Sequence, residues 1–243
     1  KNELNSRTTG GSLNILESFT YDDNNRLISW TNPKTGQQST NVYDAQGRIR
    51  ENDQVGTIKF DDATKIYQPT GATLNANGQQ NYSNDLIQKI SYNENNDPVF
   101  IDGIKGDVGF DYGLTAMRQR VTYGGDFGEG NTGRFTKYYS EDGSYEVTVD
   151  NTTGKEKHTL YIGGDPYASS ITFIKNYTEA SGSYKFLHKD YLGSILAITD
   201  EAGNTIEQRH FDAWGNLTLC KVNGIDVDPK LFNEKSLIDR GYT

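Results

Sequence analysis

The chain has 243 residues, a formal net charge of −9 and one cysteine, Cys220. Lys+Arg 24 against Asp+Glu 33 leaves no basic footprint of the kind that nucleic-acid or anionic-membrane binding requires, and a lone cysteine closes no internal disulfide. No run of 18 apolar residues occurs for membrane insertion, and Lys1-Asn2-Glu3 opens no signal peptide, so any export signal is expected outside these residues.

Taken in chain order, the first recurring unit is Tyr21-Asp22-Asp23-Asn24-Asn25-Arg26-Leu27, followed by Tyr43-Asp44-Ala45-Gln46-Gly47-Arg48-Ile49. Each has an aromatic, an Asp, three turn-type residues, a basic residue and an apolar one. Weaker copies begin at Phe60, Tyr92 and Phe110, and a late one at Phe211. Asp and Asn bond their own backbone, and Gly47 and Gly215 offer positive φ, so the middle of each unit should turn and its flanks should be strands. In Tyr145-Glu146-Val147-Thr148-Val149 the apolar side chains fall on one face of a strand, and Met117, Val121 and Tyr123 alternate with Arg118, Arg120 and Thr122. A hairpin is legible at 195–211, where ILAIT and TIEQRHF flank Asp200-Glu201-Ala202-Gly203-Asn204. With Tyr 16 against Phe 10 and Trp 2, strand faces should be packed by rings whose hydroxyls reach water, giving a sheet with a thin core. No linker or composition shift divides the chain, and residues 1–243 are read as a single domain.

Candidate chemistry is sparse. Gly128-Glu129-Gly130-Asn131-Thr132-Gly133 matches the phosphate-cradling G-x-G-x-x-G pattern, but a strand, not a helix, is expected after it, so it reads as a hairpin loop. His188-x-Asp190 and His210-x-Asp212 each set an imidazole and a carboxylate at strand spacing, where two pairs would offer four metal ligands. The competing reading is ordinary hydrogen bonding to a neighbouring carboxylate. Ser194 after Gly193 lacks the rest of a nucleophile elbow, and His158 has no visible partner. The Asp/Asn runs at 22–25 and 93–97 lack the spacing of a calcium loop.

From residue 188 onward a family resemblance emerges. His188-Lys189-Asp190-Tyr191-Leu192-Gly193-Ser194, then Asp200 and Gly203 in a T-D-x-x-G turn, then Phe211-Asp212-Ala213-Trp214-Gly215 resemble the core-associated signature of the Rhs/YD-repeat family. In that family the order is an H-x-D-x-L-G-S strand, a T-D-x-x-G turn and a Y-D-x-x-G close. Tyr161-Ile162-Gly163-Gly164 looks like the preceding Y-x-G-G element, and Arg240-Gly241-Tyr242-Thr243 like the start of an R-G-[FY]-T-G block. The signature covers residues 160–243, and degenerate repeats, with Tyr21, Asp22, Arg26, Tyr43, Asp44, Gly47 and Arg48 as motif positions, cover 20–120. Tc toxin-like and teneurin-like YD repeats are more distantly similar.

The resemblance implies an all-β fold of consecutive antiparallel hairpins forming a curved, spiralling sheet, part of a hollow shell. Stacking would stabilise hairpins that bury little alone, and closure would remove exposed edges, whereas a lone fragment keeps an edge open to self-association. It further implies a non-enzymatic region, without cofactor or metal, that encloses a C-terminal toxin or other cargo of a larger secreted or cell-surface protein. Its partners would be the other repeats and that cargo. The self-cleavage motif found downstream in such shells does not occur in these residues. The rival reading is an adhesion or carbohydrate-binding module that uses Trp30 and Trp214 as sugar platforms.

Overall fold

The computed structural model describes residues 5–9, 15–33, 35–82, 87–228 and 235–241; Lys1-Asn2-Glu3, Tyr242 and Thr243 therefore lie outside the described residues. The chain divides into two compact units, Lys1–Asn84 and Asp85–Thr243. The first carries a 7-stranded sheet of β1 (Ser6–Thr9), β2 (Ile15–Tyr21), β3 (Leu27–Thr31), β4 (Gln38–Tyr43), β5 (Ile49–Asn52), β6 (Gly56–Lys59) and β7 (Gly71–Leu74). A short helix, α1 (Ala76–Asn81), follows, capped by the Asn75 side chain, which accepts from the Gly78 N–H at 2.8 Å.

The second unit carries a 13-stranded sheet. Its first members are β8 (Ile87–Tyr92), β9 (Pro98–Gly103), β10 (Val108–Tyr112), β11 (Arg118–Tyr123), β12 (Phe135–Tyr139), β13 (Tyr145–Asp150) and β14 (Lys155–Ile162). Then come β15 (Ile171–Lys175), β16 (Ser183–Lys189), β17 (Ile195–Thr199), β18 (Thr205–Phe211), β19 (Leu217–Val222) and β20 (Ile225–Val227). In both sheets every strand pairs antiparallel with its neighbours in sequence, so each is a meander of hairpins. The expected all-β class of consecutive antiparallel hairpins is what the chain adopts.

One turn construction recurs, opening at Asp22, Asp44, Asn93, Gly113, Asp190, Asp200 and Asp212. At Asp44 the Gly47 N–H donates to the Asp44 carbonyl, and the Asp44 N–H donates to the Arg48 carbonyl, both at 3.0 Å. The fourth residue of each turn has positive φ, supplied by Asn25, Gly47, Asn96, Ala116, Gly193, Gly203 or Gly215, and the strand register shifts beside it. This is a type I turn closed by a left-handed residue in a bulge, a loop whose twist matches that of the flanking strands. Except at Gly113, the opening Asx side chain accepts two main-chain N–H groups; Asp44 Oδ1 takes those of Gln46 and Arg48 at 3.0 Å each. Gly203 isolates the backbone term, because φ is +84° there and a Cβ would touch nothing within 4 Å. Gly203→Ala is therefore expected to cost about 1 kcal/mol, measured as a lower denaturant midpoint at unchanged m.

Three sequence expectations need correction. The copy at Phe60 forms no tight turn, since Lys59 pairs with Gly71 and residues 60–70 run as a longer connection, with Asp62 capping Thr64 and Lys65. The copy read from Phe110 turns two residues later, with Tyr112 in the aromatic position and Gly113 where Asp usually stands. In the H-x-D-x-L-G-S segment the strand stops at Lys189, and Asp190 to Ser194 are the turn.

The core is thin and mostly not tyrosine. In the second unit Tyr161, Ile174, Leu187, Ile195, Ile198 and Ile238 form one buried cluster. Tyr138, Tyr145 and Tyr184 stay exposed on their strands. In β13 the buried side is the polar one: Glu146, Thr148 and Asp150 point inward, while Tyr145 is 37% exposed. Alternation was legible there, but what lies over Glu146 is charged and selects the polar face.

Candidate functional site

The site is the face of the 13-stranded sheet covered by residues 235–241. Alternate residues on adjacent strands supply it: Lys137 on β12, Glu146 on β13, Lys157 on β14, and Glu207 and Arg209 two apart on β18. All but Lys157 are at least 95% buried. Buried charges are tolerated only when paired, and Lys137, Glu146, Glu207 and Arg209 are each ion-paired. Arg209 Nε donates to Glu207 Oε1 at 2.6 Å, with both side chains wholly buried. Lys137 Nζ lies 2.7 Å from Glu146 Oε2 and donates to both Asp239 oxygens at 2.9 Å. Arg240 pairs with Glu146 at 3.1 Å and lies over the Tyr139 ring.

The same side chains grip the main chain of the covering segment. Leu237 N–H donates to Glu207 Oε2 at 2.9 Å, and the Leu237 carbonyl accepts from Lys157 Nζ at 2.6 Å. Arg209 donates to the carbonyl of Ile238 at 2.5 Å and to that of Arg240, and its Nη2 reaches Ser236 Oγ at 2.9 Å. The Ile195 N–H donates to the Gly241 carbonyl at 2.6 Å. Ile238, 2% exposed, fills the apolar cluster. Gly241 sits so close to the sheet that a Cβ would lie 2.7 Å from Phe211 Cζ and 2.8 Å from Arg209 Nη1, which accounts for glycine at that position.

Titration follows the packing. Burial works against the Asp239 carboxylate, but Lys137, Lys157 and Arg240 outweigh it and hold its pKa below the ordinary 3.8. Burial likewise opposes the Lys137 ammonium, and Asp239 and Glu146 reverse that and raise its pKa. Lys157 is lowered, mainly by burial. A carboxylate depressed in the folded state contributes stability that is complete above its unfolded value and is lost as pH falls through the folded one. Asp239→Asn should therefore flatten the fall in stability below about pH 4, near the ordinary carboxylate value of 3.8, as read from denaturant midpoints against pH.

The motif residues found by sequence do not converge here; they build hairpins. Arg26 Nε donates to Asp22 Oδ2 at 2.6 Å, and its guanidinium lies 4.6 Å from the Tyr43 ring centroid, with Nη1 reaching the Asp44 carbonyl. Arg48 repeats this, bonding Asp44 Oδ2 at 2.6 Å, lying over Phe60 at 4.8 Å and donating to the Ile66 carbonyl. Each repeat's arginine thus clamps its own turn and stacks on the aromatic of the next. Asp190, Asp200 and Asp212 cap turns whose left-handed residues are Gly193, Gly203 and Gly215. Leu192 is exposed, Ser194 is 1% exposed and Phe211 is buried.

The His-x-Asp pairs do not act as joint ligands. His188 bonds Thr199 Oγ1 at 2.9 Å and His210 bonds Thr218 Oγ1 at 2.6 Å, while both aspartates serve their turns. Among the described residues no group of three or more His, Cys, Asp or Glu is placed to hold a metal ion. His158, expected to lack a partner, has two: Tyr145 Oη at 2.5 Å and Glu156 Oε2 at 2.9 Å. The 128–133 loop is followed by β12 and wraps the Asp107 carboxylate, which accepts from Phe127 and Gly128 N–H at 2.9 and 2.8 Å. Trp30 is 2% exposed and donates from Nε1 to Glu17 at 2.8 Å, so it offers no sugar platform; Trp214 is half-buried. Sequence reasoning missed the covered face altogether. Its one local signal was Glu207 and Arg209 at strand spacing.

Comparison with known proteins matches this construction. Residues 21–55, which include the first two Asx turns, match the RHS Repeat family model. The chain is 26% identical over 225 residues to a tRNA3(Ser)-specific nuclease WapA of Bacillus spizizenii. It is 27% identical over 231 residues to tRNA nuclease WapA of Bacillus subtilis. Each alignment takes in 88% of this chain, which spans only 8% of the length of either relative. In fold it is similar to a chain in the crystal structure of TcdB2-TccC3-Cdc42, with TM-score 0.63 and 14% identity, covering 93% of this chain and 13% of that one. It is also similar to a chain of a Photorhabdus luminescens Tc holotoxin pore carrying a TccC3 mutation, with TM-score 0.57 and 14% identity, covering 94% and 10%. Repeat match and turn chemistry agree over residues 21–55, which carry an RHS repeat, and the meander has the fold of the solved chains it resembles.

Proposed function

We propose that this chain is a length of wall in a larger secreted or cell-surface toxin-type polypeptide, where it encloses or scaffolds a neighbouring segment of the same molecule. Residues 1–243 are read as one continuous Rhs/YD region, and the region itself is non-enzymatic and binds no cofactor. The observation that carries this is the 13-stranded meander, in which strands follow one another in chain order and a downstream segment of the same chain lies on the sheet. Such a sheet extends by adding hairpins, each bonded to the last, and supplies surface in place of a catalytic cleft. Asp44 is committed to a turn, and Glu146 and Glu207 to buried ion pairs, which leaves them poor acid–base catalysts.

Limited proteolysis of the longer polypeptide tests the reading. The segment beyond this region should resist protease until denaturant unfolds the sheet, and then be cut together with it. Cleavage of that segment in native protein at the rate of the free peptide would overturn enclosure.

A further inference from the structure

We propose that the covered face of the 13-stranded sheet is a peptide-binding groove, that its ligand is a short bent segment read mostly through main-chain groups, and that the chain's own residues 235–241 occupy it. This concerns peptide recognition and stands whether or not the sheet encloses cargo.

Ordinary core packing would cover an apolar face with apolar side chains. Here an apolar pocket is flanked by charges, and three of those charged side chains, Glu207, Lys157 and Arg209, are spent on the peptide backbone. Glu207 accepts the Leu237 N–H, Lys157 donates to the Leu237 carbonyl, and Arg209 donates to the Ile238 and Arg240 carbonyls. Such contacts do not depend on which side chains the segment carries; main-chain bonds give affinity and pockets give specificity. Two positions supply that specificity. Ile238 enters the pocket of Tyr161, Ile174, Leu187, Ile195 and Ile198, and the Asp239 carboxylate is held by Lys137. The groove thus selects an apolar residue followed by an acidic one. Lys235 is exposed, and Asp239, though held by Lys137, keeps its side chain 40% exposed, so Ile238 is the buried anchor.

The experiment uses the whole chain with a site-specific protease sequence inserted between Asp228 and Lys235. After cleavage, the severed peptide should co-elute with the remainder on gel filtration. A fluorescently labelled peptide of sequence KSLIDRG should then exchange into the nicked protein, followed by polarisation. Ile238→Asp or Asp239→Lys in the labelled peptide should weaken binding by at least about tenfold, and Lys235→Ala should leave it unchanged. Placing these changes in the peptide keeps the receptor intact. Loss of the severed peptide with no uptake of the labelled one, in a nicked protein that keeps its circular dichroism, overturns the proposal. So does unfolding on cleavage, which would make the segment part of the fold and not a ligand, and so does equal binding of the Ile238→Asp peptide.

Discussion

Replacing Arg209 with Ala is expected to lower the stability of the 13-stranded sheet by about 3–5 kcal/mol, the range for removing one partner of a buried ion pair. The side chain is wholly buried and serves Glu207, Ser236 and the carbonyls of Ile238 and Arg240 at once. Truncation leaves the equally buried Glu207 without its guanidinium and opens a void where the side chain lay. The double change Glu207→Gln with Arg209→Met should cost less than the sum of the single changes, because each single one strands a partner and the pair strands neither. Urea unfolding at neutral pH, followed by circular dichroism, measures this. A loss under about 1 kcal/mol for Arg209→Ala would mean that water reaches the pair and that it acts as a surface salt bridge does.

Trp30→Ala should damage the 7-stranded sheet by about 3–5 kcal/mol, the usual cost of emptying a large aromatic site. Trp30 is 2% exposed on β3, and its Nε1–H is bonded to Glu17, itself fully buried and paired with Arg7. Trp30→Phe separates the contributions: the ring volume is mostly kept, and the charge-assisted hydrogen bond, worth about 1.5–3 kcal/mol, is lost. Hydrogen exchange localised to residues 15–43 reads both variants. If Trp30→Ala left protection in β2 to β4 unchanged, the ring would not be a core element and a binding role for it would have to be reconsidered.

What the sequence made legible is local. The Asx turns at Asp22, Asp44, Asp200 and Asp212 are determined by a side chain bonding main-chain groups two and four residues on, with a left-handed residue in between, and such short-range chemistry is written in consecutive letters. Where a letter was atypical, the frame slipped. Gly113 stands in the Asx position and Ala116 takes φ of +58°, so Phe110-Asp111 looked like the start of the copy. Phe60-Asp61 looked right and still formed no tight turn, because β6 resumes pairing only at Gly71.

The candidate site was hidden for a different reason. Lys137 meets Asp239, and Lys157 meets Leu237, across long stretches of chain, and nothing in either local stretch marks the other. Apolar periodicity also misled at β13, since the side chains turned inward are Glu146, Thr148 and Asp150. Periodicity reports which residues share a face. Which face is covered depends on what arrives to cover it.

Ion pairs and an apolar pocket lie side by side beneath residues 235–241, so lifting that segment would expose two kinds of surface at once. The ions would hydrate, while the emptied Ile238 pocket would stay oily. Only the pocket then invites a stranger, and one apolar side chain returning to it is enough to close the face again.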